Sequence, residues 1–171
     1  MTHVLGIDVS KAKLDVALRR PDGKLRSKVV QNSPSGFVAL TAWLDTHGVH
    51  RLHACMEATG IYWEAVAEYL ADAGHTVSVV NPAQIKAFGG AGLVRTKTDR
   101  VDAKLIAAFC VAQCPPPWQA PPPAVRALRA LVARRDALDA MRTQERNRLG
   151  VATDAVRPGI EAHLAYLEQA L

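Results

Sequence analysis

Four carboxylates occupy positions from which they could act together on a substrate. Asp8 interrupts the otherwise apolar run at residues 4–9, and Glu57 ends a second strand-like run. A carboxylate in an apolar strand is unfavourable without a partner, and open α/β sheets place their sites at the carboxyl ends of strands. Asp99 and Asp102 are three residues apart, so on a helix their side chains would share one face.

Four acids arranged in this way indicate a site for divalent metal ions. Mg²⁺ prefers hard oxygen ligands and retains several water molecules, so a few protein carboxylates are sufficient. A pair of such ions can activate a nucleophile and stabilise the leaving oxygen in phosphoryl transfer. Bound cations also relieve the repulsion that four neighbouring carboxylates would otherwise experience.

Each acid also has a structural interpretation that involves no metal. Asp8 precedes a turn and could cap backbone N–H groups there, while Glu57 could interact with the dipole of a following helix. Thr98 is a good N-cap, so Asp99 and Asp102 would suit the first turn of a helix. Only the four acids together favour a metal site over these interpretations.

The elements that must position the acids follow from the patterning of residues 1–114. Strand-like runs and helical patterns alternate there, with a flexible break expected at the GGAG sequence of residues 89–92. The predicted strands are residues 3–9, 13–20, 25–31, 51–56 and 76–80, and the predicted helices are residues 34–47, 60–73, 82–88 and 98–113. This order predicts an α/β fold, a mixed sheet flanked by helices, and it is also the order of the ribonuclease H-like fold.

The chain changes character after residue 114. Residues 115–123 read PPPWQAPPP, and six prolines in nine residues predict an extended connector instead of a helix. Residues 124–171 contain eight Arg and no Lys in a sequence with high helix propensity. Because Arg135 and Arg142 interrupt a strict heptad, we expect a helix pair or hairpin that oligomerises, with arginines that could reach nucleic acid.

The composition defines the broad class of the protein. The 171 residues carry a net charge of +5, and 49% hydrophobic with 22% charged residues excludes wholesale disorder. Neither a membrane span nor a secretion signal is recognisable. The mild basic excess indicates nucleic acid only weakly. The three cysteines are expected to be small, buried, reduced residues, without zinc spacing.

Three motifs together resemble the DEDD transposases, which include the Piv-type DNA invertases and the bridge-RNA-guided insertion-sequence recombinases. They are GIDVSK at residues 6–11, MEATGIY at 56–62 and KTDRVDA at 97–103. The resemblance implies a RuvC-like catalytic domain at residues 1–114, a proline-rich connector at 115–123 and a coiled-coil-like segment at 124–171. It further implies that Asp8, Glu57, Asp99 and Asp102 are both the catalytic and the metal-binding residues.

The same resemblance implies an activity and a set of partners. The activity is DNA strand cleavage and joining that depends on Mg²⁺, for which Mn²⁺ can substitute. The partners are DNA, a guide RNA and a second copy of the chain bound through the helical segment, with no membrane. The expected location is the bacterial cytoplasm, in association with the nucleoid.

Basic side chains surround the acidic motifs and could bind a phosphate backbone. Each of them, taken singly, would fit a solvated charged loop equally well. The candidate nucleic-acid-binding residues are Lys11, Lys86, Arg95, Lys97, Arg100 and Lys104.

One departure from the family pattern raises alternatives. Family members carry a carboxyl-terminal domain with a nucleophilic serine, whereas no serine of this chain follows Ser78. We therefore expect an amino-terminal fragment or a truncated relative, which cannot complete recombination without such a domain. The alternatives are a RuvC-like Holliday-junction resolvase or other nuclease, which would hydrolyse DNA unaided, and a non-catalytic module for nucleic-acid binding and dimerisation.

Overall fold

The computed structural model of the protein describes residues 3–91 and 99–171, with side chains described for residues 3–90 and 103–171. The chain divides into two compact units, Met1–Ala120 and Pro121–Leu171. The first unit contains all five strands and four helices, and the second contains the two remaining helices of the described chain.

A five-stranded mixed sheet forms the centre of the first unit. The strands are β1 (His3–Val9), β2 (Lys13–Arg19), β3 (Leu25–Gln31), β4 (Leu52–Glu57) and β5 (Thr76–Val80). Their order is β3-β2-β1-β4-β5, with β2 antiparallel to β1 and β3, and with β4 and β5 parallel to β1. This topology is that of the ribonuclease H-like fold, so the predicted fold class is confirmed.

Four helices accompany the sheet in the order that the sequence predicts. They are α1 (Pro34–Thr46), α2 (Glu64–Asp72), α3 (Pro82–Ala91) and α4 (Asp99–Gln113). At the start of α1, the Ser33 hydroxyl accepts a hydrogen bond of 3.3 Å from the Gly36 amide, and Pro34 occupies the first turn.

Two predicted boundaries of these helices are wrong. Helix α2 begins at Glu64 and not at residue 60, since Gly60 has a φ of +61°, in the left-handed region that a helix excludes. Gly89 and Gly90 belong to α3 instead of forming a flexible break. A Cβ atom at Gly89 would lie 2.8 Å from Leu105 Cδ2, so the glycine there permits α3 to approach α4.

Hydrophobic side chains are buried on both faces of the sheet. On one face Leu5, Ile7 and Leu14 form a core with Leu40 of α1 and Leu70 of α2. The opposite face carries a second core, made of Val4, Cys55, Val80, Ile85, Ile106, Ala107, Phe109 and Cys110. The side chains of β1, β4 and β5 alternate between these two cores, as the period of two residues requires.

Helix α4 lies directly on β1 because Gly6 has no side chain. A Cβ atom at Gly6 would be 2.1 Å from the Ala103 carbonyl oxygen and 2.4 Å from the Ala107 amide nitrogen. Further along the helix, Cys110 shares a core with Val4, near the start of β1. Helix α4 therefore runs opposite to β1, and its amino-terminal end is directed toward the carboxyl end of that strand.

The first prolines of the proline-rich segment belong to the first unit. The Pro115 and Pro116 carbonyl oxygens lie 3.0 and 2.8 Å from the Ser78 hydroxyl oxygen, and the Trp118 amide donates to the Val77 carbonyl oxygen. The Trp118 ring also contacts Trp63 edge to face, with ring centroids 5.6 Å apart. These contacts attach residues 115–118 to β5 and explain why this part of the segment is ordered by the sheet.

The second unit is a helical hairpin of α5 (Pro123–Leu149) and α6 (Arg157–Ala170). Leu138, Leu164 and Leu167 are buried in it, and the Arg146 guanidinium lies 2.9 Å from the Glu168 carboxylate. No helix in the described part of the chain is long and apolar enough to cross a membrane.

Candidate functional site

Asp8 and Glu57 lie side by side at the carboxyl ends of two neighbouring parallel strands. The β1–β4 register pairs Ile7 with Met56, so Asp8 and Glu57 are the next residues of the two strands. Ile7 and Met56 are fully buried in the core beneath α1 and α2, so the two acids point to the opposite face, the side of α4. Both carboxylates are partly exposed at the end of the sheet, as a site open to solvent requires.

A hydroxyl group holds the carboxylate of Glu57. The Thr59 hydroxyl donates to Glu57 Oε1 over 3.0 Å, and the Ala58 amide donates to the Val80 carbonyl oxygen over 2.9 Å. Gly60 then reverses the chain at a φ of +61°, and the Trp63 indole N–H donates to its carbonyl oxygen. The MEATG sequence is thus a shaped turn that fixes Glu57, a role for Thr59 that sequence reasoning missed.

Asn32 connects the loops that follow the two acids. Its side-chain amide donates to the Ser10 carbonyl oxygen over 2.9 Å and to the Tyr62 carbonyl oxygen over 3.0 Å. Ser10 follows β1 and Tyr62 follows the Glu57 turn, so one side chain links both loops at the site. The sequence carried only a general indication of this role, an Asn directly before the N-cap of a helix.

A further acid, Asp15, lies opposite Asp8 in the β1–β2 ladder. Asp15 is buried at 4% exposure, and the Lys13 ammonium group lies 2.8 Å from its carboxylate. Directly opposite like charges destabilise a strand pair, so Lys13 provides the compensating charge. The alternation of Leu14, Val16 and Leu18 could have indicated that Asp15 faces the same side of the sheet as Asp8.

The other half of the predicted acidic set lies at the start of α4. Asp99 and Asp102 are within this helix, but their side chains, like that of Arg100, lie outside the described residues. Arg95 and Lys97 also lie outside them. Helix α4 directs its amino-terminal end toward the carboxyl end of β1, the strand end that carries Asp8.

Asp8 and Glu57, the two predicted ligands whose side chains are described, together offer the oxygen donors that Mg²⁺ prefers. Within residues 3–90 and 103–171, no group of three or more His, Cys, Asp or Glu side chains could hold a metal ion. Two partly exposed carboxylates that could bind together with water are nonetheless a suitable set for this hard cation. The convergence of all four predicted acids therefore stays a prediction.

Three predicted nucleic-acid-binding residues lie among the described side chains. Lys11 is exposed directly beyond the end of β1, Lys86 is exposed on α3 and Lys104 is exposed on α4. Their exposure leaves the three ammonium groups accessible to a phosphate backbone.

The cysteines differ in their environments. Cys55 and Cys110 are buried, as predicted, but Cys114 is exposed, so the prediction that all three are buried is wrong. Cys114 directly follows α4 with a φ of +44°, and the left-handed backbone there ends the helix and turns the side chain out of the core.

Comparison with known families and proteins gives the following matches. A family model for IS110-type DEDD transposases, described as a transposase, matches residues 5–158. The pilin gene-inverting proteins of Moraxella lacunata and Moraxella bovis are each 37% identical over 117 residues, which is 67% of this chain and 36% of the relative. The chain thus spans about a third of the length of the curated relatives it matches.

Solved structures give more distant matches. RuvC of Thermus thermophilus is 19% identical, with a TM-score of 0.46, and the match covers 65% of this chain and 96% of that one. Pelota of Archaeoglobus fulgidus is 12% identical, with a TM-score of 0.36, and the match covers 66% of this chain and 35% of that one.

Proposed function

Because this chain belongs to the DEDD transposase family, we propose that it supplies the acidic metal site for DNA strand cleavage and exchange in insertion-sequence transposition. The observation that carries the proposal is the placement of Asp8 and Glu57 on adjacent strand ends, at the edge toward which α4 directs its first turn. The name of the two curated relatives, pilin gene-inverting protein, supports DNA as the substrate.

In this proposal Mg²⁺, or Mn²⁺ in its place, is held by Asp8, Glu57, Asp99 and Asp102. When bound, the ions activate a nucleophile and stabilise the oxygen that leaves in phosphoryl transfer. The chain's own residues preorganise the carboxylates: Thr59 orients Glu57 through its hydrogen bond of 3.0 Å. Such partners of the ligands maintain metal affinity because they restrict how the ligands can rotate.

The proposal assigns the basic residues to the nucleic acid. Positive side chains at this edge neutralise phosphates and release their counterions, which favours binding. The residues are Lys11, Lys86, Arg95, Lys97, Arg100 and Lys104.

The proposal also covers the organisation of the protein. Residues 1–114 would be the catalytic domain, residues 115–123 the connector and residues 124–171 the segment through which two copies associate. A serine nucleophile from a separate carboxyl-terminal domain and a guide RNA, both implied by the family resemblance, would complete the recombinase in the bacterial cytoplasm.

Metal binding tests the proposal most directly. Titration calorimetry with Mn²⁺ should show binding to the native chain and a loss of more than about tenfold in affinity for Asp8→Asn and for Glu57→Gln. Glu161→Gln, an exposed acid of the helical hairpin, is the matched control and should bind Mn²⁺ as the native chain does. Equal affinity in all four proteins would refute the metal site.

A cleavage assay separates the recombinase from the nuclease alternative, which shares the ribonuclease H-like topology. The native chain is incubated with Mg²⁺ and a branched DNA junction. We expect binding without efficient hydrolysis, since in this proposal the nucleophile is the serine of the carboxyl-terminal domain that the family resemblance implies. Rapid hydrolysis that Asp8→Asn abolishes would instead identify a RuvC-like nuclease.

A further inference from the structure

A cavity of about 470 Å³ lies at the edge of the sheet opposite to the acids. It is lined at the starts of β1 and β4, at the end of β2 and at the end of α4, by residues that include Val4, Arg19, Arg20, His53, Cys110 and Cys114. The cavity therefore combines thiols, an imidazole and two guanidinium groups at a position that the proposed DNA chemistry does not use.

Two buried thiols adjoin this cavity. Cys55 of β4 is 0% exposed and Cys110 of α4 is 1% exposed, and both belong to the core between the sheet and α4. The two thiols are close enough for each to shift the pKa of the other. Cys110 lines the cavity and Cys55 does not, so Cys110 is the member of the pair on the side of the cavity.

The hydrogen bonds of Ser78 determine the tautomer of His53. Ser78 has a single hydroxyl proton, and the carbonyl oxygens of Pro115 and Pro116, at 3.0 and 2.8 Å, can only accept it. The Ser78 oxygen must therefore accept from His53 Nε2, which lies 2.7 Å away. With its proton on Nε2, neutral His53 has a lone pair on Nδ1, and this nitrogen is available to the Cys110 thiol.

We propose that Cys55 and Cys110 form a redox-active dithiol that reacts with anionic low-molecular-weight disulfides admitted through this cavity. The guanidinium groups of Arg19 and Arg20 favour a substrate with carboxylates. This inference goes beyond the proposed DNA chemistry and does not depend on it.

The exchange is balanced in atoms and electrons. The Cys110 thiol transfers its proton to His53 Nδ1, and the thiolate attacks one sulfur of the small disulfide. A mixed disulfide forms, and the other half leaves as a thiolate that takes up the proton. The Cys55 sulfur then attacks Cys110 Sγ and displaces the second small thiolate. This thiolate takes up the proton that Cys55 loses and leaves as a thiol. Two protein thiols are oxidised and one small disulfide is reduced to two thiols.

The electrostatic environment supports Cys110 as the attacking thiol. Hydrogen bonding from Cys55 lowers the pKa of Cys110, and the adjacent His53 lowers it further, while burial opposes both. Thiolates, not thiols, attack disulfides, so a lowered pKa favours reaction near neutral pH. The titratable and charged groups around Cys110 are Cys55 and His53 from β4, Arg19 and Arg20 from the end of β2, and Cys114 beyond α4.

Peptide mapping after treatment with glutathione disulfide tests the proposal. In the native chain we expect a Cys55–Cys110 cross-link that dithiothreitol removes. Cys114→Ser should form the same bond, whereas Cys55→Ala should stop with glutathione on Cys110. Glutathione on Cys114 alone, a Cys110–Cys114 bond, or no reaction at Cys110 would overturn the proposal. Because the assay needs neither metal nor DNA, it can refute the dithiol proposal while the metal-site proposal stands. The metal-site proposal can likewise be refuted while the dithiol proposal stands.

The pH dependence of the reaction tests the role of His53 as the acceptor of the Cys110 proton. The rate of glutathione attachment to Cys110 is measured in Cys55→Ala, with and without His53→Gln. Gln can still donate to Ser78 but cannot accept the proton, so the midpoint of the Cys110 profile should move to higher pH. The Cys114 profile should be unchanged in the same samples. Identical Cys110 profiles would reject the proposed contribution of His53.

Discussion

Asp8 and Asp15 are directly opposite each other in the β1–β2 ladder, so their side chains lie on the same face of the sheet. The Lys13 ammonium group compensates Asp15 at 2.8 Å, and Glu57 lies beside Asp8 on the other neighbouring strand. At the scale of single residues, the site is therefore a group of acids partly balanced by a lysine. A cation bound at the strand ends would lower the remaining repulsion.

The hydroxyl of Thr59 offers a test of preorganisation. Thr59→Val keeps the shape of the side chain and removes the hydrogen bond to Glu57 Oε1. Mn²⁺ affinity, measured by titration calorimetry, should fall by about tenfold, because the carboxylate is no longer oriented. Thr59→Ser keeps the hydroxyl and should bind as the native chain does. Equal affinities in Thr59→Val and Thr59→Ser would show that the bond does not orient the ligand.

His75 makes the stability of the protein depend on pH. Burial lowers the pKa of His75, although the charge of Asp45 partly opposes this, and its Nδ1 has no hydrogen-bond partner among the described residues. The unfolded chain, with a His pKa of about 6.5, then binds the proton more readily than the folded chain. The free energy of unfolding should decrease as the pH falls through about 6.5 and below. Urea denaturation at about pH 7.5 and at about pH 5.5, on either side of the ordinary His pKa, measures this decrease.

A histidine variant identifies the residue responsible. His75→Gln should flatten the decrease in unfolding free energy at low pH, because it removes the group that gains a proton on unfolding. His50→Gln, which changes an exposed histidine, is measured in parallel as the control. A native slope in His75→Gln would assign the pH dependence to other groups.

At the scale of the elements, the close contact of α4 with β1 fixes the position of this helix on the sheet. Ala103 and Ala107 lie over Gly6 so closely that no side chain fits between them. The same helix carries Asp99 and Asp102 at one end and Cys110 near the other. A shift of α4 would therefore affect both edges of the sheet.

Glycine substitutions measure the importance of this contact. Gly6→Ala places a Cβ atom 2.1 Å from the Ala103 carbonyl oxygen, and the unfolding free energy should fall by about 3 kcal/mol, the upper end of the cost of overpacking. Gly90→Ala meets nothing within 4 Å in α3 and should be neutral or stabilise by up to about 1 kcal/mol. Urea denaturation compares the two. Equal stability of Gly6→Ala and the native chain would contradict the close contact.

At the scale of the whole molecule, the sheet separates two chemistries. The carboxylates lie at the carboxyl ends of β1 and β4, whereas the cavity lined by Cys110, Arg19 and Arg20 lies toward the amino-terminal ends of the same strands. The net charge of +5 adds a general attraction for polyanions. This attraction should weaken with added salt, because neutralised phosphates release counterions.

The salt dependence of DNA binding tests the contribution of Lys11. The logarithm of the DNA association constant is measured by fluorescence anisotropy at several salt concentrations. Lys11→Gln should weaken binding and reduce the slope by about one, as expected for the loss of one phosphate contact. Lys24→Gln, an exposed lysine of the β2–β3 turn, should leave the slope unchanged. Equal slopes for Lys11→Gln and the native chain would place Lys11 outside the interface.

Local patterns and motifs were sufficient to predict the fold class, the family and the order of the elements. Alternating apolar residues mark strands and Ser33 caps a helix within a few residues, so these features are local and can be read from the chain. The predicted bounds of β1, β3 and β5 agree with the structure for this reason. The motifs that contain Asp8 and Glu57 are likewise contiguous, so the resemblance to the DEDD transposases could be recognised and is confirmed.

Contacts between residues far apart in the chain could be seen only in the folded protein. The sequence predicts a flexible break at Gly89, but this residue lies in α3. A side chain there would collide with Leu105 of α4, and this contact has no local pattern in the sequence. The hydrogen bonds of Asn32 to Ser10 and Tyr62 span 22 and 30 residues. The proximity of His53 to Cys110 depends on how α4 crosses the sheet. Such contacts depend on strand register and helix placement, which are properties of the packed chain and have no local pattern in the sequence.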